Sequence, residues 1–131
     1  MINDYVGVPF GEGGRTPEYW DCWGLVFYVA EKEFGINYPS YSEQYTTPLD
    51  YKELKNLIGH ESTTNWTEIE QGNEKPGDVI ILRLRNMPIH AGLVVKKNKM
   101  LHVYNGIETA IEDYTRLQWK HRISGFFRYN E

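Results

Sequence analysis

The sequence holds a single cysteine and lacks a long apolar run, and these two absences narrow what the chain can be. One cysteine excludes an internal disulfide framework and leaves either a structural thiol or a reactive one. No stretch approaches the roughly 20 apolar residues of a membrane-spanning helix, so we expect no membrane insertion. The first residues have neither a basic region nor an apolar segment, so we predict no signal peptide.

The sequence also has no excess of positively charged residues. The 14 Lys and Arg residues are outnumbered by 18 Asp and Glu residues, and the formal net charge is −4. Such a chain offers no basic surface for a polyanion, so we expect no nucleic-acid partner. What is present is ordinary globular material, with 40% hydrophobic residues in 131 positions. This length fits one domain spanning residues 1–131.

The order of the predicted elements indicates an α+β fold. Asp21 is suited to cap a helix that begins at Cys22 and is ended by Gly35. A second helix is predicted over 49–58, followed by a polar surface loop over 59–75. The predicted strands come later in the chain, at 79–82, 90–95, 100–104 and 123–129. Helices followed by antiparallel strands are typical of α+β proteins.

Cys22 is the candidate nucleophile. The N-terminus of a helix presents unpaired N–H groups and a partial positive charge, and both stabilise a thiolate. A lone cysteine is more often a buried structural residue. Here a glycine-rich approach precedes Asp21-Cys22-Trp23-Gly24, and an apolar helix follows. This context favours a reactive, accessible thiol.

Histidines supply the candidate base. His60 and His121 lie in polar surroundings and are predicted to be on the surface, whereas His90 and His102 lie in predicted strands. A thiol nucleophile needs a base and a group that orients that base, so Cys22, His90 and His102 are the catalytic candidates. A metal site built from Cys22 and histidines is an alternative. Because these spacings match no zinc pattern, we predict no metal and no cofactor.

Three motifs in sequence order give the chain a family resemblance. They resemble the NlpC/P60 cell-wall peptidases, in which the first histidine is the base and the second orients its ring. The resemblance implies a papain-like fold, with N-terminal helices packed on a C-terminal antiparallel sheet, and roles of base for His90 and orienter for His102. The matching segments are Pro9-Phe10-Gly11-Glu12-Gly13-Gly14 with Asp21-Cys22-Trp23-Gly24-Leu25-Val26, then Lys75-Pro76-Gly77-Asp78-Val79, then His90-Ala91-Gly92-Leu93-Val94 with His102.

Two positions depart from the usual family pattern. Phe10 stands where the family usually has Tyr, and Trp23 stands where most members have Ser. The form Asp-Cys-Trp-Gly-Leu resembles the phage tail-assembly branch of the family. That resemblance implies a place in the virion, or in the host cytoplasm during assembly, with other tail proteins as partners.

The resemblance also implies the substrate, which is the peptide stem of peptidoglycan cut after its γ-linked D-glutamate. Candidate substrate contacts are Phe10, Glu12, Arg15, Asp21, Trp23 and Tyr104. Glu12 and Arg15 would offer charges to the stem, and Trp23 would narrow the groove beside the nucleophile. Two rivals stay open: an amidase or acyltransferase with another substrate, and a non-enzymatic tail protein. Three intact catalytic candidates speak against the second rival.

Contact between the two histidine rings does not follow from simple hairpin geometry. A three-residue loop at 97–99 would place His102 opposite Val94, with His90 roughly 13 Å away along the strand. Direct contact requires a longer loop, a bulge or strong twist.

Overall fold

The computed structural model describes residues 1–40, 66–84 and 87–129, and for 87–89 it describes the backbone alone. A 3₁₀ helix at Ile2–Tyr5 is followed by two short strands, β1 (Arg15–Thr16) and β2 (Tyr19–Trp20). The helix predicted over 49–58 lies outside the described residues. No helix within the described ranges is long and apolar enough to cross a membrane.

The first long helix, α1 (Cys22–Phe34), begins and ends where the sequence predicts. Asp21 is extended and its side chain accepts a hydrogen bond from the Gly24 N–H, which satisfies one orphan donor of the first turn. Gly35 ends the helix in the left-handed conformation, with φ of 68°, where a side chain would be strained. Local capping chemistry therefore fixes Cys22 as the first helical residue.

A six-stranded antiparallel sheet forms the C-terminal part. Its strand order is β3-β8-β4-β5-β6-β7. The strands are β3 (Trp66–Ile69), β4 (Val79–Leu84), β5 (Met87–Lys96), β6 (Lys99–Tyr104), β7 (Ile107–Asp113) and β8 (Ile123–Tyr129), and a short helix α2 (Leu117–Lys120) precedes β8. The α+β prediction, with a helix packed on an antiparallel sheet, is confirmed.

Three of the described elements that follow α1 are absent from the sequence prediction. The surface loop predicted over 59–75 is wrong for β3, whose Trp66 is fully buried and pairs with Tyr129 of β8. No element was predicted where β7 and α2 lie. In each case the element gains its stability from pairing or packing that is distant in sequence, which a local pattern does not record.

The two faces of the sheet carry separate apolar clusters. Alternate residues of β5 such as Leu93 pack with α1, whereas Val94 faces the cluster that includes Trp119 of α2. Leu84 and Tyr104 pack against both clusters. Both clusters therefore reach the part of the sheet that holds these two residues, and α1 packs against β5 and β6.

Asp78, from the Pro-Gly-Asp turn, locks the start of β4 to the end of β8. It is buried, and its two oxygens accept hydrogen bonds from Arg128 Nε at 2.8 Å and Arg128 Nη2 at 2.7 Å. Its side chain also accepts a bond from the Lys75 N–H, which closes the turn. This motif thus positions the sheet that carries the histidines.

Candidate active site

The start of α1 is held by a buried carboxylate. Asp21 Oδ1 accepts hydrogen bonds from the Gly24 N–H at 2.7 Å and from Arg15 Nη1 at 2.9 Å. Asp21 Oδ2 accepts a third from the Gly13 N–H at 3.1 Å. These bonds join the glycine-rich turn to the first turn of the helix, and so fix the backbone on which Cys22 sits.

Arg15 and Asp21 form a structural pair. The burial of Asp21 contradicts its prediction as a substrate contact, and that of Arg15 stays a prediction. Arg15 also donates to the Gly14 carbonyl, to Ser40 Oγ and to the Ser40 carbonyl. The guanidinium is already engaged by protein acceptors, and Asp21 is 1% exposed. The pair serves the nucleophile indirectly, because the Arg15 charge offsets a carboxylate that would otherwise disfavour the neighbouring thiolate.

Cys22 is placed as the sequence predicts but is not accessible. Its exposed fraction is 0%, and it belongs to the cluster between α1 and the sheet that includes Ala91, the neighbour of His90. The expectation of an exposed thiol is therefore wrong for this structure. A substrate can meet the sulfur only when the groups around it move.

Trp23 lies in the core, so its predicted role in lining a substrate groove is also wrong. Its exposed fraction is 0%, its ring contacts Tyr38 and Trp66, and its Nε1 donates to the Pro39 carbonyl at 2.8 Å. The helix turns this side chain away from solvent. Truncating a buried tryptophan typically costs about 3–5 kcal/mol, so changes here would affect folding before specificity.

The two candidate histidines form a direct hydrogen bond. His90 Nε2 and His102 Nδ1 are 2.8 Å apart, and both residues are buried. The turn after β5 has two residues, since Lys96 pairs with Lys99, and a bulge then shifts the register between Val94 and Lys96. The bulge puts the His102 Cβ 3.3 Å from where a Gly92 Cβ would be, on the face that carries His90. The pairing with Val94 that a three-residue loop would give does not occur, and a bulge, one of the features that direct contact requires, is present.

The chain of hydrogen bonds continues to a carboxylate that the sequence analysis missed. Glu112 Oε2 is 2.6 Å from His102 Nε2, and Glu112 Oε1 accepts a bond from Trp119 Nε1 at 3.2 Å. The Trp119 ring also packs edge-on against His102, with centroids 4.9 Å apart. The hydrogen bond from His102 is the main cause that lowers the pKa of Glu112. One signal was available, because Asn105-Gly106 is a strong hairpin turn and announces β7.

His90 is a neutral base, and one of its two ring nitrogens is available to accept a proton. Burial lowers the pKa of His90 well below its usual range, and the neighbouring His102 adds to this. Within residues 1–40, 66–84 and 87–129, His90 Nδ1 is the one fully buried side-chain nitrogen or oxygen without a hydrogen-bond partner. A neutral imidazole with an uncommitted lone pair can accept a proton.

The remaining predicted substrate-binding residues and histidines lie in different surroundings. The Tyr104 ring contacts His90 and His102, with centroids 5.5 and 5.8 Å away, so it lies within the site. Phe10 is half-buried against the α1 cluster, and Glu12 is exposed. His121 is exposed as expected, and His60 lies outside the described residues. The described residues include no group of three or more His, Cys, Asp or Glu that could hold a metal ion.

A cysteine at the start of a helix, packed on a sheet whose histidine is oriented by a second histidine, defines the class of papain-like cysteine hydrolases. The family model described as the NlpC/P60 family matches residues 7–128. The chain therefore belongs to the NlpC/P60 family.

Known proteins resemble the chain over nearly all its length. It is 28% identical over 129 residues to a gamma-DL-glutamyl hydrolase of Bacillus subtilis, covering 96% of this chain and 27% of that protein. It is 23% identical over 119 residues to an Escherichia coli murein DD-endopeptidase/murein LD-carboxypeptidase, covering 91% and 54%. The crystal structure of a Staphylococcus aureus NLP/P60-family protein similar to a lipoprotein superposes with a TM-score of 0.64 at 21% identity, covering 98% and 38%. The chain thus spans between about a quarter and a half of the curated relatives that it matches.

Proposed function

We propose that the chain hydrolyses an amide bond in the peptide stem of peptidoglycan, after the γ-linked D-glutamate. The observation that carries the proposal is the buried His90, whose Nδ1 has no partner among the described residues while its Nε2 is bound to His102. The two relatives described above are named for glutamyl hydrolysis and for cleavage of murein. The peptide stem of the cell wall is a substrate class that fits both names.

The chemistry is an acyl transfer through a thioester. Cys22 Sγ attacks the amide carbonyl, and its proton passes to His90 Nδ1. The imidazolium then protonates the leaving amine as the C–N bond breaks, and an acyl-thioester remains on Cys22. Water, deprotonated by His90, attacks the thioester and releases the carboxylate and the thiol. The N-terminus of α1 favours the negative charge that develops beside Cys22.

Digestion of purified sacculi tests the substrate. We expect the wild type, under reducing conditions, to release stems that end in D-glutamate together with a new free amine, seen by mass spectrometry of the soluble fragments. Cys22→Ala should release neither, because no acyl-enzyme can form. If simple amides or thioesters are hydrolysed while sacculi and stem peptides are not, the amidase or acyltransferase alternative replaces this proposal. If nothing is hydrolysed, the non-enzymatic alternative replaces it.

The biological setting that we propose is a phage tail. Its support is the sequence form Asp21-Cys22-Trp23-Gly24-Leu25, which resembles the tail-assembly branch of the family. A tail would carry such an enzyme to the cell wall, or assemble it inside the host. Immunodetection in purified virions should find the chain at a fixed ratio to a tail protein. Its absence from particles and from tail-assembly intermediates would contradict this setting.

A further inference from the structure

Two donors converge on the two carboxylate oxygens of Glu112. Trp119 Nε1–H can only donate, and it is bound to Oε1 at 3.2 Å. His102 Nε2 lies 2.6 Å from Oε2. An ionised carboxylate only accepts, so the proton in the second bond belongs to His102 Nε2. Glu112 therefore requires the Nε2–H form of His102.

That requirement passes on to His90. When each ring carries one proton, a His102 protonated at Nε2 presents a lone pair at Nδ1. His90 Nε2, which is 2.8 Å from that lone pair, must then be the donor of the shared bond. The only lone pair left on His90 is at Nδ1, the nitrogen that has no partner among the described residues. The requirement of Glu112 for one tautomer of His102 thus also fixes the tautomer of His90.

We propose that Glu112, held by Trp119, is a positioning residue that fixes the tautomers of His102 and His90 and so leaves the catalytic lone pair at His90 Nδ1. The proposal deepens the peptidase function and rests on it for the activity readout. Glu112 also places a negative charge at the far end of the pair. This charge stabilises the imidazolium that exists between proton uptake from Cys22 and proton donation to the amine.

The variant Glu112→Gln keeps the shape of the side chain but removes its charge and one of its two acceptor oxygens. Glutamine has one acceptor oxygen for two donors, and Trp119 Nε1–H competes with His102 for it. When Trp119 holds the oxygen, the amide NH₂ faces His102 Nε2 and favours the Nδ1–H form. His90 then loses its lone pair at Nδ1. We expect kcat to fall on the order of 10²-fold with little change in KM.

Removing the competing donor should reverse part of this loss. In Glu112→Gln/Trp119→Phe the amide oxygen is free to accept from His102 Nε2, and the original tautomers can return. The double variant should therefore be more active than Glu112→Gln alone, although each substitution removes a native contact. A merely structural role predicts the opposite, because a second truncation in the α2 cluster would add to the damage. Glu108→Gln, an exposed glutamate on the same strand, is the matched control and should leave activity unchanged.

The pH profile supplies a second readout. Among the described residues, the titratable or charged groups around the relay are Glu112, His90, His102, Tyr104 and Arg122, whose charge acts on Tyr104. Without the Glu112 charge the imidazolium loses its proton more readily, so the acidic limb of kcat/KM, which reports the neutral His90 base, should move to lower pH in Glu112→Gln.

Histidine tautomers can be measured without any substrate. Long-range ¹⁵N–¹H spectra of the labelled chain, assigned with His60→Ala and His121→Ala, should show Nε2–H for both His90 and His102. Glu112→Gln should move both toward Nδ1–H, and the double variant should move them back. Nδ1–H forms in the wild type, or spectra unchanged by Glu112→Gln, would overturn the inference. Because these spectra need no turnover, failure of the peptidase proposal alone leaves the tautomer result standing.

Discussion

Replacing His90 with alanine should abolish turnover as completely as replacing Cys22 with alanine, a loss of roughly 10⁴-fold or more. His90 Nδ1 is the one buried side-chain nitrogen of the described residues without a hydrogen-bond partner, whereas both ring nitrogens of His102 are engaged. His121→Ala, at an exposed histidine, is the control and should retain full activity. Steady-state kinetics on a stem peptide measures all three variants.

His102 should be replaceable in part. Its Nδ1 accepts from His90 Nε2 in the tautomers inferred above, and an Asn or Gln side-chain oxygen can accept the same bond. His102→Asn or His102→Gln should therefore retain measurable activity, with His102→Ala lower than either. Equal and complete loss for every substitution at His90 and at His102 would contradict the division between base and orienter.

Substituting Gly24 with alanine should destabilise the protein, although alanine is the better helix former by about 1 kcal/mol. A Cβ at Gly24 would overlap the Gly14 carbonyl oxygen and lie 3.0 Å from its carbon. Both atoms belong to the backbone of the turn that is tied to Asp21, so they cannot rotate away. We expect a net loss of at least about 2 kcal/mol in the free energy of unfolding.

The same substitution should reduce activity in the molecules that remain folded. Moving the glycine-rich turn away from α1 disturbs the Asp21 cap, and Cys22 is the next residue along the helix. Urea unfolding measures the stability, and Glu31→Ala on the exposed face of α1 controls for a change in helix propensity. A Gly24→Ala protein as stable as the wild type would show that the two backbones do not meet as described.

The N-terminal half of the site was predictable because its determinants are local. Asp21 as cap, Cys22 as first helical residue and Gly35 as terminator follow from the chemistry of single side chains next to the helix. What the residue types did not reveal is where the side chains of the first turn point. Cys22 and Trp23 are buried because α1 packs against strands that follow much later in the chain.

The histidine half was predictable in composition but not in register. A count of loop residues alone would leave His90 and His102 apart, because a bulge is a feature of the paired strands and leaves no mark in residue counts. Glu112 was missed for a related reason. Its neighbourhood depends on the β6–β7 pairing, which shifts between His102 and Tyr104. The geometry of the site is thus set by two irregularities that periodicity arguments assume to be absent.

Because of these two bulges, one on each side of β6, the lengths of the turns at 97–98 and 105–106 affect catalysis as well as folding. Side chains of a strand alternate between faces, so inserting or deleting one residue in the 97–98 or 105–106 turn exchanges odd and even neighbours of His102. Such a change would leave an intact hairpin with its proton relay cut. A change of two residues would keep the face but move the residue opposite His102 along the strand, so only a compensating loss of a bulge preserves the relay. Among relatives, turn length and bulge should therefore vary together, as a single inherited unit.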